Sequence, residues 1–551
     1  MRTASNHVRP AREQVLRQFH WQPSNQLDSL RRPGWRDSGC RRLPHPDTRA
    51  TRGPPTGKLG RRRLPRNPTA GPACESRGSA GCERGRRVSI SLLVGPGGGL
   101  HHGTARGRDH LGPEGGGQAA EGARGGHLRG GCGYQGRDRF PAGTYPLVRP
   151  RLGPRNRIAG GKIHGNVEAI RARLREDLSQ LRTSQGYLVA GKPRYATLFG
   201  RDSLIAAWQT LSIDPSIAAA TLRVLASFQG RRVDATSEEE PGKILHEHRF
   251  DSQAQNELPD WKFPYYGSID STLLFLIVAD SYVESTGDAS LLEELWDACE
   301  AAYRWMIEFG DRDGDGYIEY ARRNPHGLFH QGWKDGSDDH LRIEPPVALV
   351  EVQGYAVAAH RAYARLARRR GASTTADRAE AAAAKTRGAL NRDFWMPDRQ
   401  FFALALDGSK RPRDAITSNP GHLLAMDAVA PDRVGPLVQR LIEPDLWTPY
   451  GIRTHASSEP DFDPYGYHTG TIWPHDNWFI YKGLRRHGRE SEAMRIRDAL
   501  LRTWQDLGKI PELYAVVDGV LVDLSRPGSQ TRSNPLQAWS SAGLLDMLSE
   551  G

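Results

Sequence analysis

Residues 311–344 read DRDGDGYIEYARRNPHGLFHQGWKDGSDDHLRIE, a stretch too polar, too aromatic and too rich in glycine for an ordinary connection between helices. Helical periodicity stands on both sides of it, so it is an elaborated loop carried by a helical scaffold. Within it, Gln331-Gly332-Trp333-Lys334-Asp335-Gly336-Ser337 sets a carboxylate between a tryptophan, a lysine and two glycines, the surroundings of an acid that faces a sugar rather than bulk water. On this reading Asp335 is a general acid.

Outward from that loop, apolar residues recur at the spacing of one helix face from about Gly160 onward, first as Val167, Ile170, Leu174 and Leu178. The same rule predicts twelve helices, near 165–183, 200–212, 215–229, 268–285, 289–310, 345–370, 374–393, 415–427, 431–441, 470–487, 490–504 and 535–549. Short strands are expected at 400–406 and 519–523, around the Asp407-Gly408 and Asp518-Gly519 turns.

The connections alternate: two or three residues after each even-numbered helix, roughly 16 to 40 after each odd-numbered one. If consecutive antiparallel helices pair as hairpins, every long loop emerges at one end. Six such pairs close into an all-α (α/α)6 barrel with small β-hairpins in its loops. An open superhelix would share the loop pattern, but the sequence carries no internal repeat of fixed period.

Each long loop brings aromatic and ionisable residues to the start of the next helix: Phe199-Gly200-Arg201-Asp202-Ser203, then Pro264-Tyr265-Tyr266-Gly267-Ser268-Ile269-Asp270-Ser271, then Trp333 to Asp335. The fourth brings Thr417-Ser418-Asn419-Pro420-Gly421-His422, the fifth Tyr467-His468-Thr469-Gly470-Thr471-Ile472-Trp473-Pro474-His475-Asp476, and the sixth Glu512 followed by Trp539. All six are expected to meet in one pocket. Each residue also has a structural reading. Asp202 and Asp270 stand where N-caps stand, Trp539 can be core, and a single His468 or His475 can be a satisfied buried histidine. Together they match what sugars require, flat rings for the apolar faces of pyranoses and paired polar groups for the hydroxyls.

Asp311-Arg312-Asp313-Gly314-Asp315-Gly316 resembles the start of a calcium loop, with Asp311, Asp313 and Asp315 as the Ca2+ ligands. Position 12 is Arg322 instead of Glu, so Glu319 or a backbone group would have to complete the site. The other reading is a tight polar turn held by its own side chains.

Composition sets residues 1–155 apart from the helical domain at 160–551. Residues 1–150 contain 26 Arg, 27 Gly and 15 Pro with one Lys, which is not the composition of a packed core. They carry 27 basic against 10 acidic residues, so the remaining 49 basic and 54 acidic residues net −5 and the chain's +12 says nothing about the helical part. The segment reads either as disordered or as a GC-rich stretch translated from too early a start. RNA binding by spaced arginines is disfavoured by the scarcity of aromatic stacking platforms, so no specific nucleic-acid partner is expected. Four of five cysteines (Cys40, Cys74, Cys82, Cys132) lie there, and only Cys299 lies beyond, with no zinc or disulfide spacing. The absence of a signal peptide and of a long apolar run predicts a cytoplasmic protein without a membrane partner.

Gly200-Arg201-Asp202-Ser203, Gly332-Trp333-Lys334-Asp335, Gly470-Thr471-Ile472-Trp473-Pro474-His475-Asp476 and Pro511-Glu512-Leu513, in this order, resemble the catalytic domain of the glycogen debranching, amylo-α-1,6-glucosidase type. Its wider relatives are the inverting (α/α)6 glycosidases, including mannosylglycerate hydrolases, processing α-glucosidases and trehalases. The resemblance covers about residues 160–551 and implies hydrolysis of α-glucosidic bonds in an oligo- or polysaccharide, with Asp335 as general acid, Glu512 as general base and no required cofactor. Arg201, Asp202, Asp270, Trp333, Lys334, His468, Trp473, His475, Asp476 and Trp539 become candidates for substrate binding, Lys334 pointing away from Asp335 or contacting a hydroxyl. Debranching relatives usually carry a β-rich domain ahead of the barrel, where this chain has its Arg/Gly/Pro-rich segment. Rival readings are an exo-glycosidase acting on a small glucoside or mannoside, a non-catalytic glucan-binding protein, and another helical-toroid enzyme such as a terpene cyclase or polysaccharide lyase.

Overall fold

Two kinds of helix alternate along the chain. Those that are apolar or buried nearly all round form an inner wall, and those with one apolar stripe lean on them from outside. In the computed structural model, which describes residues 164–550, the elements are α1 (His164–Leu181), α2 (Gly200–Gln209), α3 (Pro215–Ser227), α4 (Ser252–Asn256), α5 (Ser271–Thr286), α6 (Ala289–Trp305) and α7 (Val350–Arg369). They continue with α8 (Ser373–Asp393), α9 (His422–Ala425), α10 (Pro431–Leu441), α11 (Pro474–Arg486), α12 (Glu490–Leu507) and α13 (Ala538–Ser549). The expectations for residues 1–155, including the four cysteines there, lie outside the described residues; Cys299 is a buried free thiol in α6. No described helix is long and apolar enough to cross a membrane.

The inner wall is α2, α5, α7, α9, α11 and α13. Each touches the next, and α13 returns to α2, which closes the ring. Helix α5, STLLFLIVADSYVEST, is buried from Ser271 to Asp280, as a helix packed on every side must be. On the outside α3 leans on α2, α6 on α5, α8 on α7, α12 on α11 and α1 on α13. The (α/α)6 barrel expected from the alternation is therefore the fold.

Local chemistry sets the short connections. Asp214 accepts from the backbone N–H of Ser216 and is followed by Pro215, so α3 starts at once after α2. Gly287 ends α5 in the left-handed region at φ 69° and Asp288 caps α6 through Ser290 N at 2.9 Å. Two expectations change. The eighth helix, expected over 415–427, is only a 3-10 turn at Asn419–Gly421 running into the four residues of α9, because Thr417 and Ser418 are drawn into the loop ring. The strand expected at 400–406 is split into Phe401–Phe402 and Ala405–Leu406, each pairing with a different neighbour.

The six long loops are stitched to one another in order by very short ladders. Loop 1 (182–199) pairs with loop 2 (228–270) through Phe199 opposite Glu247, and loop 2 meets loop 3 (311–349) where Ile269 N donates to Gln331 O at 2.9 Å. Loop 3 pairs with loop 4 (394–418) through Leu349 opposite Ala405, and loop 4 with loop 5 (442–473) through Thr417 opposite His455. Ile472 bridges loop 5 to Tyr514 in loop 6 (508–537), and Gly191 opposite Gln537 returns loop 6 to loop 1. Backbone groups that would be orphaned in long loops are thereby satisfied, and one end of the barrel becomes a rigid collar.

Candidate active site

Inside the collar lies a cavity of about 180 Å³, bordered by Arg201, Asp202, Trp333, Asp335, Trp473, Glu512 and Trp539 among the residues singled out in the sequence. Five loops reach it. Loop 4 does not: Thr417, Ser418, Asn419 and His422 are fully buried behind Trp333, with the His422 ring stacked on the indole at 5.9 Å and 13°.

Arg201 organises the third loop's acid. Its position in the first turn of α2 depends on Gly200, where a Cβ would stand 2.0 Å from the Leu245 carbonyl oxygen of loop 2. From there the buried guanidinium donates to Asp270 Oδ2 at 2.7 Å, to Asp335 Oδ2 at 2.9 Å and to the Gln331 carbonyl at 3.2 Å. Asp270 takes the N-cap position of α5 without capping it; its other oxygen accepts from Ser268 Oγ at 2.8 Å. It holds Arg201 and does not border the cavity.

Glu512 is the counterpart from loop 6. Its Oε1 accepts from the Tyr467 hydroxyl at 2.6 Å and its Oε2 from Asn534 N at 2.7 Å, with an Arg194 guanidinium nitrogen 3.9 Å away. Burial pushes its carboxyl up from the ordinary range, those hydrogen bonds hold it back, and the charge of Asp335 pushes the same way as burial. Asp202, whose Oδ2 accepts from Gln537 Nε2 at 3.1 Å, is raised well above the usual carboxylate range by burial, again with Asp335 and Glu512 adding to the rise.

Aromatic rings make the remaining wall. Trp539 stacks on His475 at 3.9 Å and 14°, Trp473 stacks on His468 at 5.2 Å and 23°, and Trp333 meets Trp473 edge-on at 5.8 Å. Both histidines are buried behind the indoles and burial holds them well below the usual imidazole range, so they back the rings as neutral aromatics. Asp476 is likewise behind the wall, accepting from His422 Nε2 at 2.8 Å. Lys334 points away from Asp335: its buried ammonium donates to the Thr454 carbonyl at 2.6 Å and lies 5.1 Å from the centre of the Trp333 ring. Of the ten residues proposed to grip substrate, Asp270, Lys334, His468, His475 and Asp476 therefore sit one layer behind the cavity.

Sequence reasoning missed Tyr195, Glu247 and Trp261, which all border it, and quoted Tyr467 in the fifth loop without giving it a role. Glu247 is a buried carboxylate that accepts from Arg249 Nε at 2.5 Å and is raised by burial. The alternation His246-Glu247-His248 inside a long loop was the available signal; its pairing with Phe199 is what turns it inward.

Asp311, Asp313 and Asp315, the residues of the calcium reading, lie close enough together to share an ion. Lys410 from loop 4 inserts its ammonium among Asp313 (2.9 Å), Asp315 (2.7 Å) and Glu319, the place a divalent ion would take. The remaining acceptors are used locally: Asp311 accepts from Gly314 N and Gly316 N, and Asp315 from Tyr317 N. A second group, His455, Glu459 and Asp461, is likewise closed by Arg399 on Glu459 and Arg413 on Asp461, each at 2.6 Å.

Known proteins resemble parts of this chain. A mannosylglycerate hydrolase of Rubrobacter radiotolerans is 29% identical over 199 residues, 35% of this chain, and the match spans 42% of that relative's length, less than half. The crystal structure of a mannosylglycerate hydrolase from Thermus thermophilus in complex with Tris and D-glycerate superposes with a TM-score of 0.54 at 16% identity, over 69% of this chain and all of that one. The same enzyme in complex with glucose gives 0.53 at 15% identity, again over 69% of this chain and all of that one. At such identity the structures speak for the fold, which is the (α/α)6 barrel. The family model of the mannosylglycerate hydrolase MGH1-like glycoside hydrolase domain matches residues 195–521, from Tyr195 at the cavity through Asp335 and Glu512. This is one of the wider relatives of the debranching type. With more than half of its length matched, the chain belongs to the mannosylglycerate hydrolase MGH1-like glycoside hydrolase family.

Proposed function

We propose that the chain removes a single sugar from a small α-mannoside or α-glucoside with inversion, Asp335 acting as general acid and Glu512 as general base. The observation that carries this is the placement of two carboxyls, from the third and sixth of six loops and hence across the ring from each other, on one cavity of about 180 Å³ walled by indoles. An inverting enzyme needs its carboxyls roughly 6.5–9.5 Å apart so that a water fits between base and sugar. In that step Asp335 gives its proton to the glycosidic oxygen as the C1–O bond breaks. Glu512 takes a proton from the water whose oxygen bonds to C1 on the opposite face, and the two groups recover their starting states by exchange with solvent. Arg201 orients the Asp335 carboxyl, and Asp202, with its raised affinity for a proton, can donate to a sugar hydroxyl.

A small substrate is supported by the cavity, which is below the roughly 300–1,000 Å³ of common ligand pockets, and by the relatives' name, which points to mannosylglycerate. The debranching reading calls for a groove that admits a branched chain. Purified protein offered mannosylglycerate, trehalose, isomaltose and a branched dextrin, with the product anomer followed by NMR, tests the proposal. Release of the inverted anomer from a small glycoside is expected. Turnover of the dextrin alone restores the debranching reading, a retained anomer removes the base role of Glu512, and binding without turnover makes the protein a glycan binder.

A further inference from the structure

A second cavity lies outside the inner wall, on the α7–α8 hairpin. Helix α7 runs for 20 residues, about 30 Å, whereas α9 has four and spans about 6 Å. The cavity, of about 300 Å³, opens between α7, α8 and the 426–430 turn.

Three arginines from three helices cap carbonyls of residues 425–429, and Arg433 of α10 reaches α8 instead. Arg361 of α7 donates to the Met426 and Asp427 carbonyls at 3.3 and 3.2 Å, Arg387 of α8 to Val429 O at 2.6 Å, Arg486 of α11 to Ala425 O at 3.5 Å, and Arg433 of α10 to Asn391 O. Arg361 has Asp427 Oδ2 at 3.4 Å and also feels Glu380, whereas among the described residues Arg387 forms no ion pair. Glu380, which borders the cavity, is engaged by Arg368 at 3.1 Å. Carbonyl capping uses one terminal nitrogen of each guanidinium, whereas each guanidinium has five N–H donors. The Nε of Arg387 is buried without an acceptor, and so is the Nε2 of His487 beside it. Clustered, partly desolvated like charges with unused donors are costly unless an anion completes them.

We propose that this cavity is a binding site, separate from the collar, for a small phosphate monoester, with Arg361 and Arg387 holding the phosphate and the floor of Ala383, Ala384 and Ala430 taking the short organic part. The volume exceeds what a free phosphate fills, which is why an ester is assigned. The reading does not depend on the glycosidase mechanism.

Calorimetric titration of the full chain with glycerol 3-phosphate, with glycerol and inorganic phosphate in parallel, tests it. Saturable binding of the ester is expected, at least about threefold tighter than inorganic phosphate, with none for glycerol. Arg387→Gln should weaken it about tenfold or more, as loss of a charge-assisted bond implies, with glycosidase activity unchanged as the sign of an intact fold. Arg361→Gln, which also borders the cavity, gives a second loss should Arg387→Gln fail to fold. The proposal is overturned by no saturable binding, by equal binding of glycerol, by affinity unaltered in a folded Arg387→Gln, or by inorganic phosphate binding as tightly as the ester.

Discussion

Loop 3 carries two acidic, glycine-rich stretches made of the same residue types, and they end in opposite states. At 311–319 the carboxylates close on Lys410 and on backbone N–H groups of their own turn, leaving an acidic sequence whose charges are met within the protein. At 331–339 the carboxylate of Asp335 is oriented by Arg201 and borders a cavity shared with Glu512. Acidity and glycine content are common to both, so they identify neither. What separates them is the partner from a distant loop: a lysine that fills the space in one case, and in the other an arginine that steers one side of the acid while the cavity adjoins it. Even within the second stretch, Asp339 is bound to His330 at 2.9 Å and to Ile343 N at 2.9 Å, and is structural.

The contrast is sharpest in Asp335→Asn. Hydrolysis of glycosides with poor leaving groups should fall roughly 100-fold to 10,000-fold, while a glycosyl fluoride, which leaves with little protonation, should keep a much larger share of its rate. Glu512→Gln should lose both substrates. Steady-state kinetics on the two substrate types check this, and an Asp335→Asn enzyme that loses both equally while Glu512→Gln spares the fluoride would exchange the roles.

Tyr467→Phe tests whether the base is tuned from outside the cavity's acids. The Tyr467 hydroxyl stabilises the Glu512 carboxylate and so opposes the rise that burial causes. Its loss leaves the pKa higher, so a larger fraction of Glu512 is protonated and idle at a given acidic pH. The acid limb of kcat/KM should move to higher pH, with a loss of roughly tenfold near that limb; an unmoved limb would leave Tyr467 a merely structural neighbour.

Lys410→Met attacks the closed stretch. Three carboxylates lose a shared donor, and stability should drop by about 1–3 kcal/mol by denaturant titration, with kcat little changed. Added calcium should then raise the melting temperature of the variant and not of the wild type; equal responses would show that Lys410 does not take the ion's place. The smallest effect belongs to Asp315→Asn, for which kcat/KM should stay within about twofold because its charge serves a turn and not the reaction.

Local patterns in the sequence were enough for the barrel. Helix periodicity, caps such as Asp214-Pro215 and the alternation of short and long connections depend on neighbours a few residues apart, so twelve helical segments and the one-sided loops were legible, as were the loops holding Asp335 and Glu512. The length of α9 was not, because ladders to loop 5 override its apolar pattern. Which residues face the cavity was decided only by tertiary structure. Successive residues on a helix point about 100° apart, so in Trp473-Pro474-His475-Asp476 the indole borders the cavity while His475 and Asp476 lie behind it. Glu247 enters through its pairing with Phe199, and Lys410 closes the acidic turn from loop 4, far along the chain. Periodicity is local and was read; strand pairing and ion pairing join distant segments, and only the folded chain shows which side of an indole each polar group takes.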